Sequence, residues 1–272
     1  MRLTTESTSH YDNLESKTIQ EILYDMNQED LSVPKAVQKA LPQIEAFIAA
    51  AVERVRKGGK IFYIGAGTSG RLGVLDASEI PPTFGAPKNL FIGLIAGGDH
   101  ALRNAVEFAE DNLEQAWKDM QLYSIGNQDI VLGIAASGTT PYVLGGLQSA
   151  QAAGCLTGCI VCNLGSPVAA TTQFPMEIEV GPEFVTGSTR LKSGTATKLV
   201  LNMISTTLMI QIGRVQGNRM VDMHLANRKL IQRGTKILME TLKLEEQTAN
   251  LLLKEQGSVR KAIDFFRAKN NM

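Results

Sequence analysis

Charge of one sign is what this 272-residue chain lacks: Lys+Arg and Asp+Glu both number 27, so its formal net charge is zero. Bulk electrostatics therefore favour neither nucleic acid nor an anionic membrane surface as a partner. Long apolar runs are missing as well, and none approaches the roughly 20 residues that span a bilayer. The N-terminal stretch MRLTTESTSHYDNLE is polar and has no apolar core of a secretion signal. Cysteine is scarce. Cys155, Cys159 and Cys162 crowd one segment, and His10, His100 and His224 lie far from it in sequence, so a zinc site has no fourth ligand at hand. The three thiols are expected to act as small apolar residues in or near a buried strand. An odd count without a secretion signal points to the reducing cytoplasm. The hydrophobic fraction of 44% suffices for a sizeable core, which leaves a small molecule as the default ligand.

What is present is a change of rhythm. Residues 1–30 are polar and acidic with one amphipathic patch, TIQEILYDM. From Val33 to Gly59 apolar residues recur at three-to-four spacing (Val37, Ala40, Leu41, Ile44, Phe47, Ile48, Ala51, Val52, Val55), which predicts one long helix opened by Pro34 and ended by Gly58 and Gly59. Then come five short apolar runs: KIFYIGAG, LFIGLIAGG, DIVLGIAASG, CLTGCIVCN and FPMEIEV. Helix-like segments separate the first four. Continuous apolar runs alternating with helices predict an α/β fold, a doubly wound parallel sheet of about five strands covered on both faces. Residues 188–212 read as one long helix that Ser188 could cap, buried in its second half. The rest is helical in pattern, with Gly234 and Gly257 as punctuation and a two-helix hairpin in TANLLLKEQGSVRKAIDFF. The expected organisation is an N-terminal helical segment (1–58), a core domain carrying the sheet (59–215) and a C-terminal helical region (216–272).

Ligands of such sheets bind outside the carboxyl ends of the strands. The first run ends in GAGTSG, which satisfies G-x-G-x-x-G at Gly65, Gly67 and Gly70. A dinucleotide site also wants an acid at the end of the second strand, and that run ends in AGG instead. Hydroxyls offer a second reading. Thr68 and Ser69 stand where backbone N–H and side-chain O–H groups can meet an anion at a helix N-terminus, flanked by Gly67, Gly70 and Arg71. The third run ends in Ser137, Gly138, Thr139 and Thr140, with Pro141 suited to a first helical turn. A third polar cluster holds Ser188, Thr189, Arg190 and Lys192. Any one cluster could be ordinary helix capping; three in one domain point to a phosphorylated small molecule. His100 and Glu183 lie near the same edge, Glu183 as a further substrate-contact candidate. Trp117 is expected to pack on a crossover helix.

Four stretches, YIGAGTSGRLGVLDASEIPPTFG, IAGGDHALRNAVEFAEDN, GIAASGTTPYV and VTGSTRLKSGTATKLVLNMIST, closely resemble the N-acetylmuramic acid 6-phosphate etherase family, which carries a sugar isomerase (SIS) domain. The resemblance runs from TTEST near residue 4 into the C-terminal helices. It implies cleavage of the D-lactyl ether of N-acetylmuramic acid (MurNAc) 6-phosphate to give N-acetylglucosamine (GlcNAc) 6-phosphate and D-lactate, in the reuse of cell-wall sugar. It implies two catalytic glutamates, Glu79 of DASE and Glu110 of EFAED, and a homodimer with shared sites.

This chemistry suits an acid–base pair. The C1 aldehyde of the open-chain sugar acidifies the C2 proton, a base removes it, an acid protonates the departing lactate oxygen at C3, and water adds back. The substrate's own carbonyl is the electron sink, so no cofactor or metal is called for. The resemblance assigns Glu79 as proton donor and Glu110 as base. Prolines after Glu79 are expected to stop its helix. A helix begun near Ser69 puts Glu79 about 15 Å along its axis, and Glu110 stands as far from Gly98. So one or both helices must break, or the carboxylates must serve a neighbouring subunit. Two rivals share the domain: an aldose–ketose sugar-phosphate isomerase, and a sugar-phosphate-sensing regulator such as mammalian glucokinase regulatory protein, which keeps the phosphate turns without catalysis.

Overall fold

The computed structural model describes residues 3–270. Two compact units divide them: one holds residues up to Ser78 and Phe91–Ser205, the other Glu79–Leu90 and residues from Thr206 onward. All five apolar runs form strands, β1 (Ile61–Gly65), β2 (Phe91–Ile95), β3 (Ile130–Ile134), β4 (Leu156–Val161) and β5 (Phe174–Glu177). They pair in parallel in the order β2-β1-β3-β4-β5. β1, β3 and β4 are buried at every residue, which is why they read as unbroken apolar runs.

Successive side chains of a strand face opposite ways, and each face has its own cover. Preceding β1 are α1 (Ile19–Asp30), α2 (Ser32–Lys39) and α3 (Leu41–Arg56). Phe47 of α3 reaches the sheet at Gly158 and meets the Phe174 ring edge-on at 6.4 Å. After β1 comes α4 (Gly67–Phe84), whose Gly73 lies against Tyr63 and Ile134. The other face, with Phe62, Ile64, Val131 and Cys159, is covered by α5 (Gln115–Gln121), α6 (Pro141–Ala152) and α7 (Pro167–Thr171). Leu147 of α6 is fully buried here, a contribution of roughly 1.5–3 kcal/mol for such a side chain. Trp117, on α5, packs partly buried against this cluster. Cys155, Cys159 and Cys162 are all buried, and burial pushes their thiols up to about 11, 11 and 12.

α8 (Lys192–Gln211) begins in the larger unit and ends in the smaller, as α4 does. The smaller unit adds a two-stranded antiparallel ribbon, β6 (Val215–Gln216) with β7 (Arg219–Met220), then α9 (Arg228–Leu242), α10 (Glu246–Gln256) and α11 (Val259–Lys269). Its own apolar cluster centres on Leu238, Leu253 and Ala262. Among the described residues no helix is long and apolar enough to cross a membrane.

Several expectations fail for identifiable reasons. The helix expected over 33–59 is two, α2 and α3, meeting at Ala40; Pro42, in the first turn of α3, has no N–H to continue the α2 ladder. α4 does not stop before the prolines, for Pro81 and Pro82 lie inside it. Its end is held otherwise: the Pro82 carbonyl accepts from the His224 N–H, and Gly85, at φ 60°, lies so close to Asp222 that a Cβ would come within 2.0 Å of that carbonyl oxygen. α8 starts at Lys192 rather than near Ser188. Its second half is not wholly buried, since Met203 and Ile210 are exposed. Gly234 does not punctuate; it lies inside α9, where a Cβ would come within 2.8 Å of the Leu253 side chain. Gly257 does end α10, in the left-handed conformation.

Candidate active site

The order β2-β1-β3-β4-β5 reverses direction between β1 and β3, and open α/β sheets bind ligands in the crevice beyond such a switch point. The turns that follow β1 and β3 are the two Ser/Thr-rich turns found in the sequence. After β1, Gly67, Thr68, Ser69 and Gly70 form the first turn of α4, whose free N–H groups and dipole favour an anion. Gly70 is buried, with Thr68 and Ser69 half-buried beside it. After β3, Gly138 is left-handed at φ 72° and lies against Ser166. There the Ser137 hydroxyl oxygen accepts from both the N–H and the hydroxyl of Thr139, at 3.3 and 3.0 Å. Thr140 precedes α6, and its side chain makes no cap, so ordinary capping does not account for it.

The third cluster adjoins the first, since a Cβ on Gly194 would stand 3.5 Å from the Thr68 methyl. Its geometry follows from one residue. Glu183 is fully buried and caps α8 from outside, its carboxylate accepting from the N–H of Lys192 (2.8 Å) and from the N–H and hydroxyl of Ser193 (3.0 and 2.7 Å). This moves the start of α8 to Lys192 and leaves Ser188 and Thr189 in a half-buried turn ahead of it. Lys192 is itself buried, its ammonium paired with Glu29 of α1 at 2.5 Å. Both charges are thus engaged within the protein. Arg190 is exposed.

Arg71 serves the local structure, its guanidinium donating to the carbonyls of Ala101 and Leu102 at 2.8 and 3.1 Å. That clamp holds a single helical turn, Asp99–Leu102, which contains His100. Beyond it the chain does not form the helix expected around EFAEDN. Phe108 takes φ 58°, and Glu110 lies in a short turn, Ala109–Asp111. The break gives Glu110 its reach: it lines a cavity of about 220 Å³ together with Gly67, Arg71 and Glu107, at the carboxyl edge of β1 and β2. Glu79 lies elsewhere. It is exposed in the last part of α4 and lines a cavity of about 280 Å³ within the smaller unit, beside Thr83, Asn227, Lys229 and Arg233. The two glutamates therefore line different cavities. Lys229 and Arg233, one turn apart on α9, gave no signal in the sequence beyond a helical pattern.

A parallel five-stranded sheet with hydroxyl-rich turns at its switch point defines a protein of the SIS class. Residues 43–151 match the family described as glucokinase regulatory protein N-terminal SIS domain. Phosphoheptose isomerases from Francisella tularensis (20% identity, TM-score 0.50, 71% of this chain and 98% of that) and Neisseria gonorrhoeae (14%, 0.52, 70% and 99%) share the fold. Within that class the chain belongs to the N-acetylmuramic acid 6-phosphate etherase family. It is 58% identical over 267 residues to the etherase of Bacteroides thetaiotaomicron, covering 98% of this chain and 96% of that one. Etherases of Christiangramia forsetii (56%; 98% and 97%) and Lactococcus lactis (53%; 88% and 80%) agree.

Proposed function

We propose that this chain is a lyase that cleaves the D-lactyl ether of MurNAc 6-phosphate, giving GlcNAc 6-phosphate and D-lactate by elimination and hydration at C3. The observation that carries the reading is identity of 58% across 98% of the chain to an etherase. The match to a regulatory SIS domain spans residues 43–151 only, and the isomerase likeness extends to the fold alone. In this reading residues 59–215 form the sugar-phosphate domain of a cytoplasmic enzyme of cell-wall sugar recycling.

Each step draws on this chain's own groups. Thr68, Ser69, Ser137, Thr139 and the turn at Ser188 and Thr189 hold the phosphate by hydroxyls and helix-start N–H groups. Glu110, in the cavity beside those turns, takes the C2 proton as the C1 carbonyl draws off the charge. Glu79 protonates the lactate oxygen as the C3–O bond breaks. The cations of Lys229 and Arg233 beside Glu79 suit the lactyl carboxylate. Two carboxyls in separate cavities fit a homodimer whose sites take Glu79 from one copy and Glu110 from the other.

Incubation with MurNAc 6-phosphate and an enzymatic assay for D-lactate tests the reading. Stoichiometric lactate, with solvent oxygen appearing at C3, is the expected result. Tight sugar-phosphate binding without lactate would assign the chain to the sensors instead.

A further inference from the structure

The residues before α1 make contacts that their polar, acidic composition does not announce. Thr5 is fully buried and Asn163, two residues past β4, is 1% exposed. The Asn163 side-chain oxygen accepts from the Thr4 hydroxyl (3.0 Å) and the Thr5 N–H (3.2 Å). Its NH₂ group donates to the Thr5 hydroxyl (2.9 Å) and to the carbonyls of Ser137 (3.1 Å) and Ala136 (3.3 Å). Every donor and acceptor of the amide is used. The surroundings fix its orientation: an N–H demands the oxygen on one side, and two carbonyls demand the NH₂ on the other. Four residues on, the Ser9 N–H donates to the Thr186 hydroxyl (2.9 Å) and the Ser9 hydroxyl to the Phe184 carbonyl (2.8 Å). Residues 4–9 thus bridge the turn after β3, which carries Ser137 and Thr139, and the segment ahead of α8, which carries Ser188 and Thr189.

We infer that Asn163 is a positioning residue which, with Thr4, Thr5 and Ser9, sets the spacing of the two turns that grip the substrate's phosphate. It acts through the backbone of Ala136 and Ser137 and does not touch the sugar. The inference rests on reading those turns as the phosphate site. A buried amide satisfied on both sides carries a directional requirement that an isosteric acid cannot meet. Asn163→Asp places an acceptor against two carbonyls and pushes the Ser137 turn away. Thr5→Val removes one hydroxyl at nearly constant volume, and Thr5→Ser restores it.

The experiment measures kcat and KM for lactate release from MurNAc 6-phosphate, the Kd of GlcNAc 6-phosphate by calorimetry, and the melting temperature of each variant. Asn163→Asp should raise both KM and Kd about tenfold with kcat within about twofold, and Thr5→Val about threefold. Thr5→Ser should behave as wild type. A residue that matters only for stability would lower the melting temperature and leave KM and Kd alone. That outcome, or a fall in kcat at constant KM, overturns the inference. If Asn163→Asp does not fold, the Thr5→Val and Thr5→Ser pair decides. Wild-type protein that binds GlcNAc 6-phosphate yet releases no lactate would end the etherase reading and leave the Kd series to judge Asn163. Wild-type protein that neither releases lactate nor binds GlcNAc 6-phosphate would overturn both.

Discussion

Asp76 lies three residues before Glu79 on α4 and is buried. Its Oδ1 accepts from the Ser205 hydroxyl of α8 at 3.2 Å, and the fully buried Tyr63 of β1 is its other polar neighbour. Burial raises its pKa to about 6, against the pull of Ser205, the Lys198 ammonium and Tyr63. Between the ordinary value and about 6 the folded chain holds a proton that the unfolded chain has released, so stability falls as pH rises through that window. At about 1.4 kcal/mol per unit the swing is about 3 kcal/mol. Asp76→Asn should flatten it, as urea melts from pH 4 to 7 would show; an unchanged profile would contradict the assignment. Glu79 and Glu110 call for kinetics. Glu79→Gln should cut lactate release by roughly 10²–10⁴-fold while C2 proton exchange with solvent persists. Glu110→Gln should abolish both, and NMR in D₂O separates the two outcomes. The position of the hydroxyl-rich turns after β1 and β3 was legible because glycines and hydroxyls that follow an apolar run mark the carboxyl edge of a strand. Lys229 and Arg233 were not, because a helical cation pair looks the same whether it faces a cavity or open water.

At the scale of elements, β1, β3 and β4 could be read because burial on both faces leaves a strand almost no polar positions, while the half-buried edge strands β2 and β5 still showed as short apolar runs. Helix ends were harder, because distant groups set them. α8 begins where the Glu183 carboxylate meets it, nine residues away in sequence. α4 continues past Pro81 and Pro82, its last turn tied to the His224 N–H and packed on Asp222. The EFAED stretch, helical by composition, is broken at Phe108 and so carries Glu110 to its cavity. The turn between β3 and α6 makes a prediction of its own. An alanine at 138 would adopt φ 72° and bring its Cβ within 2.3 Å of Ser166. Gly138→Ala should cost about 1–3 kcal/mol in denaturant unfolding and raise KM for the phosphorylated sugar. A variant with wild-type stability and KM would show that the turn tolerates a side chain and sets no part of the site.

For the molecule as a whole, the placement of Glu79 and Glu110 in different units bears on assembly. If each site draws one glutamate from either copy, mixing Glu79→Gln and Glu110→Gln proteins under exchange should recover about a quarter of wild-type activity. Half the dimers would then be mixed, with one intact site each. No recovery, despite subunit exchange seen by mass spectrometry, would mean that one chain supplies both groups. The attachment of residues 4–9 reaches further than catalysis. Thr5 emerges from the ribosome long before Asn163, its partner 158 positions later. Residues 4–9 must therefore wait, unpaired, until most of the sheet is synthesised, and closing so long a loop comes late and slowly in folding. An affinity tag fused ahead of Thr4 would burden that final docking step, so a C-terminal fusion is the better choice for preparing active material.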